Sequence, residues 1–179
     1  MMRKETDAMQ IFKSKLLLIL TTLAFILAFS VTTSTAQEKV KINSKYTGVF
    51  TKYEQMKPDD TEGHTMASYE AKGAGTGSKG DFTILSQGMS DLVKGNGTHF
   101  GYYKQTDKDG HVSFSKWQGK VTTTKSPEGM PIMKFGGTWS FTKGTGKWEN
   151  VQGGGTYKGW FIGQGIFTNI TEGEYFIKK

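Results

Sequence analysis

The stretch GGTWSFTKGTGKWENVQGGGTYKG, residues 136–159, decides between two very different proteins. Its centre, Gly144-Thr145-Gly146-Lys147-Trp148, has the look of a phosphate-binding loop. Such a loop needs Gly-x-x-x-x-Gly-Lys-Ser/Thr between a strand and a helix, because backbone amides and the helix start cradle the phosphate. Here Lys147 is followed by Trp148, the place of the first glycine is held by Phe141, and no helical pattern follows. The alternative is a hairpin. MKFGGTWSFT (133–142) and GTYKGWF (155–161) are aromatic-rich runs of the kind that form strands, and the glycines between them supply backbone shape for a turn. Thr145 and Gly146 are expected in the turn, with Trp148 capping or entering the interior.

The same pattern extends in both directions. Strands are expected over 45–55, 64–75, 81–88, 98–106 and 111–121, and over two or three segments within 155–171 and 174–179. Residues 38–44 read as a lead-in. Asp107-Lys108-Asp109-Gly110 is a turn signal, and only Met89 to Val93 has room for a helical turn. About eight short strands leave a sandwich or a closed barrel. A last strand that reaches the chain end and pairs with an early one closes the sheet and removes its edges. A repeat supports closure: GNGTHFGYY (95–103) and GGGTYKGWF (153–161) both fit Gly-x-Gly-Thr-aromatic-x-Gly-aromatic-aromatic, and glycines at matched places bend a sheet sharply. The fold expected is all-β, a single eight-stranded antiparallel barrel over residues 37–179.

Residues 1–36 read as an export signal. Lys13 and Lys15 precede an apolar run from Leu16 to Phe29, and Ser34-Thr35-Ala36 is a small-residue cleavage sequence. The run is too short for a spanning helix, so cleavage after Ala36 is expected and no stable membrane anchor. Translation starts at Met1 or Met9. The expected location is periplasmic or extracellular. All 24 glycines lie beyond residue 36, and the chain has no cysteine. Stability must then come from the core and from closure of the sheet, and thiolate chemistry is excluded. The net charge of +7 falls to +5 once the four cations and two anions of residues 1–36 are set aside. The remaining cations are lysines scattered over the strands, with no arginine for bidentate phosphate contacts. A mildly cationic, hydrated surface is expected, and no nucleic-acid partner.

The other motifs are weak. Gly75-Thr76-Gly77-Ser78-Lys79-Gly80 fits the dinucleotide fingerprint, but a strand follows it where a helix is needed. The turn beginning at Asp107 starts like a calcium loop, but its fifth and twelfth positions are His111 and Gln118. His64, His99 and His111 form no ligand pair in sequence, so neither a metal nor a cofactor is expected. Ser113 and Ser115 alternate with Val112 and Phe114 and lead to Trp117, which makes one strand face small and polar; it belongs to the outer surface or to a polar-lined cavity. The aromatics are the main resource. Tyr103, Trp117, Trp139 and Trp148 are candidates to line a ligand cavity, with His99 as a polar donor. Glu70 is a further candidate, either inside as an acid or base or outside in water.

Residues 137–159 resemble the glycine-rich hairpin of the allene oxide cyclase barrel and dirigent-like families, with Gly144-Thr145-Gly146-Lys147-Trp148 running on to Gly153. Residues 107–120 resemble the hairpin that precedes it in small bacterial proteins of this sort. The resemblance implies an eight-stranded barrel with a central cavity for an apolar ligand, often in a dimer or trimer. It implies no site residue, and the arginines of dirigent proteins have no counterpart beyond residue 36. Three functions stay open: an exported module binding a small apolar or aromatic molecule, an isomerase or cyclase, and a structural barrel with a filled core.

Overall fold

The computed structural model describes residues 37–178. The expected leader, its cleavage after Ala36 and the choice of start lie outside the described residues. Eight antiparallel strands follow one another around a closed barrel: β1 (Val40–Met56), β2 (His64–Gly77), β3 (Gly80–Val93), β4 (Asn96–Asp107), β5 (Val112–Lys125), β6 (Pro131–Gly144), β7 (Val151–Gly163) and β8 (Ile166–Ile177). Each pairs with its sequence neighbours, and β1 closes the sheet on β8 from Val40↔Tyr175 to Val49↔Ile166. Among the described residues the helical content is a single 3-10 turn, Gly146–Trp148.

Several boundaries differ from the sequence reading, for one reason: closure recruits residues that lack a strong strand pattern. The lead-in from Val40 onward belongs to β1, because β8 supplies its hydrogen-bonding partners. Met89 to Val93 is strand, paired to Phe100 through Asn96 across the two-residue turn Lys94-Gly95. Both turn residues have positive φ, 51° and 76°, the geometry that matches strand twist in tight hairpins. The C-terminal segments resolve into two strands, β7 and β8, joined at Gln164-Gly165. Gly173 does not break β8; it passes so close to β7 that an added Cβ would lie 2.3 Å from the Gly154 carbonyl oxygen.

Alternation sorts each strand into an inner and an outer row. Lys72, Lys104, Lys116, Lys120 and Lys158 lie exposed in mid-strand, so the outer wall carries charge along the strands, with Met89, Phe100 and Trp160 exposed among them. A bulge at Thr51 shifts the row within β1, so that Phe50 and Tyr53 both face the interior.

The repeat in β4 and β7 has a packing purpose. Its third glycine is Gly101 in one copy and Gly159 in the other. An added Cβ would meet the Trp117 ring at 2.6 Å and the Phe135 ring at 2.3 Å, so each glycine makes room for an aromatic from the adjacent strand. Gly155 serves backbone approach instead, with the Glu172 carbonyl oxygen 1.9 Å from where its Cβ would be. Gly155→Ala is expected to destabilise the barrel by about 2 kcal/mol, within the range for overpacking. Chemical denaturation checks this; an unchanged midpoint would contradict the close approach.

Candidate functional site

The interior is a cup. Its floor lies at the end where β4 turns into β5 and β6 into β7. Trp148 is buried there, its ring centroid 5.2 Å from that of Tyr175 and 6.1 Å from that of Phe141, which in turn sits 5.0 Å from Trp139. The glycine-rich link thus has a structural task. Gly146 takes a positive φ of 57°, and a side chain on it would meet His111 at 2.3 Å. This conformation sends Lys147 and Trp148 to one acceptor, Asp107: Lys147 Nζ lies 2.8 Å from Oδ2, and Trp148 Nε1 donates to the same oxygen at 3.1 Å. The other oxygen accepts the backbone amides of Asp109 and His111, both at 3.0 Å. Burial, the largest single influence on this carboxyl, would raise its pKa. Lys147, Trp148 and the two amides together outweigh burial and hold it at about 2. The lysine of the supposed phosphate loop is therefore a structural counter-charge. Asp107, Asp109 and His111 do come together as possible metal ligands. Lys147 is also 3.5 Å from Asp109, so the cation this cluster faces is the chain's own.

Above the floor is a cavity of about 640 Å³. Its mouth is at the opposite end, where Tyr53, Pro131, Met133 and the segment Gly163 to Gly165 surround it. The wall is mainly aromatic. Among the described residues no lining side chain is Asp, Glu, Lys or Arg.

Of the residues singled out from sequence, His99, Tyr103, Trp117 and Trp139 line this cavity. Trp148 lies in the floor beneath it. Glu70 is on the outer row of β2, where its carboxylate accepts from Thr51 Oγ1 at 2.9 Å and from Gln87 Nε2 at 3.5 Å. These bonds, Thr51 first, keep its pKa below the ordinary value despite some desolvation. The small polar face of β5 is the inner one, with Ser113 and Ser115 fully buried. The three histidines are dispersed: His64 begins β2 at the mouth end, between Asp60 and Asp91, His111 is at the floor end, and His99 is inside.

Two polar pairs stand on the cavity wall. His99 Nε2 and Tyr157 Oη are 2.9 Å apart, and they occupy the same position of the two repeat copies. Burial lowers the His99 pKa to about 4, so the ring is neutral. The second pair is Tyr46 and Asn169, register partners across the β1–β8 closure; Asn169 Nδ2 donates to Tyr46 Oη at 2.7 Å. Burial, aided by Tyr103 and Tyr69, pushes the Tyr46 hydroxyl upward against the lowering effect of Asn169. Tyr69 and Tyr157 are raised by burial in the same way, and Tyr103 reaches about 12.

Comparison with protein-family models, curated proteins and solved structures finds no match. The chemistry of the cavity itself carries the functional reading. Its content is a deep aromatic cup, closed at one end, whose hydrogen-bonding groups are all uncharged at neutral pH. The sequence reading passed over Tyr46, Tyr157 and Asn169. Only the matched positions of the repeat hinted at Tyr157, and nothing local marked the other two.

Proposed function

We propose that the protein binds a neutral, aromatic or apolar small molecule inside its barrel. The observation that carries this is the cavity of about 640 Å³, open at one end and without a charged lining residue among those described. That volume falls within the range of sites for small organic ligands. A charged ligand entering it would lose water and gain no counter-ion. A two-ring aromatic burying about 250 Å² gains on the order of 6 kcal/mol from apolar burial, before the cost of association. The filled structural barrel fits less well, because the core is not filled.

An acid–base enzyme needs a group that titrates near its working pH. His99 at about 4 and tyrosines pushed upward are poorly placed for that. The likeness of residues 137–159 to the allene oxide cyclase and dirigent-like hairpin supports a barrel of that kind as a proposal, and it adds no catalytic residue. The same likeness supports a dimer or trimer, and the leader pattern of residues 1–36 supports an exported location.

Ser86, buried on β3 and part of the cavity wall, offers the test. The uncharged fluorophore N-phenyl-1-naphthylamine is expected to bind one per chain. Ser86→Trp, which fills the cup, should weaken it roughly 30-fold, equivalent to about 2 kcal/mol, without lowering thermal stability. Equal binding by a folded Ser86→Trp variant would place the fluorophore elsewhere and count against the reading.

A further inference from the structure

We propose that Tyr46 and Asn169 form the polar subsite of the cavity, and that the molecule held there presents an uncharged hydroxyl group to them from an aromatic or apolar frame. This rests on the cavity being a ligand site.

Asn169 is 5% exposed, and its Oδ1 is buried with no hydrogen-bond partner among the described residues. Its Nδ2 is engaged by Tyr46 Oη. Both residues line the cavity. Buried polar atoms in folded proteins are almost always paired, and an unpaired one marks a missing partner. Turning the amide over exchanges its two ends but still leaves one of them unpaired. A hydroxyl both donates and accepts, so it completes the pair in either orientation, which neither an ether nor a ketone does. In the arrangement present, Tyr46 Oη already accepts from Asn169, so its own proton is free to be given to the same hydroxyl oxygen.

The surroundings choose the frame. Tyr46 packs edge-on against Phe82 and Phe167, with centroids 6.4 and 6.1 Å away. The rest of a ligand anchored here meets rings. A carboxylate or phosphate is disfavoured, because no cation lines the cavity among the described residues.

The test compares two probes of nearly equal size, naphthalene and 2-naphthol, by titration of tryptophan fluorescence; Trp117 and Trp139 are in the wall. The protein is expected to prefer 2-naphthol by at least about tenfold, since a site with an unpaired polar group discriminates against an analogue lacking the matching hydroxyl. Asn169→Leu should abolish the preference while holding naphthalene within about twofold of its original affinity. Tyr46→Phe, which keeps the ring and removes one oxygen, should reduce the preference at least roughly threefold and guards against failure of the first variant to fold. Equal affinity for the two probes in the unaltered protein would overturn the subsite while leaving the cavity reading intact. A preference that survives both substitutions would do the same. Binding of neither probe would overturn the cavity reading and the subsite together.

Discussion

Asp107→Ala is expected to destabilise the protein by about 3 kcal/mol, the cost of removing a buried acceptor shared by four donors. The carboxylate is 8% exposed and serves four donors: Lys147 Nζ, Trp148 Nε1 and the amides of Asp109 and His111. The amides sit in an exposed turn and water can replace part of what they lose. The indole N–H cannot be served so easily, because Trp148 is buried. The substitution also unties the β4–β5 turn from the β6–β7 link, and so loosens the floor of the cup. Asp107→Asn keeps an acceptor for the turn amides and loses the charge paired with Lys147, so its cost should be smaller, about 1–2 kcal/mol. Urea denaturation of the three proteins measures the order. An alanine variant within about 1 kcal/mol of the original would mean that the floor is held by ring packing alone.

Acid should destabilise the barrel through His99 well before the carboxylates titrate. The folded-state pKa of about 4 lies below the ordinary 6.5, so this is a depressed group. Its contribution is fully present above 6.5 and is lost as pH falls toward 4, since the unfolded chain takes up a proton that the folded chain refuses. The interval corresponds to roughly 3 kcal/mol. His64 works in the opposite direction and in a higher window: its bonds to Asp60 first and Asp91 second raise its pKa above 6.5, so it gains stability as pH falls through that raised value and holds it unchanged below 6.5. The difference between the original protein and His99→Gln separates the two. That difference should grow in favour of the variant between pH 7 and 4 and level off below. Parallel curves would show that the imidazole is not held neutral.

Much of the barrel was legible because alternation and turn chemistry are local. Asp107 to Gly110 and the glycine-rich link both sit where strands reverse. The bulge at Thr51 was not legible, since one extra residue leaves no mark in composition yet brings Tyr53 to the same side as Phe50. Parity explains the site residues. Once Tyr103 and His99 share a row of β4, alternation brings both inside together. Glu70 lies between Tyr69 and Ala71, which line the cavity, and so it must face out. Trp148 departs from any strand row because a 3-10 turn holds it under the floor. Tyr46 and Asn169 were hidden for a topological reason. They meet only when β1 registers against β8, and no local pattern specifies that register across nearly the whole domain.

The most direct measurement is native mass spectrometry of the protein purified from its own host, followed by the same spectrum after denaturation. A small additional mass, one per chain, that leaves on unfolding and is absent from Ser86→Trp is the predicted result. A bare chain mass that also fails to take up N-phenyl-1-naphthylamine would contradict the account and leave the barrel without a ligand to hold.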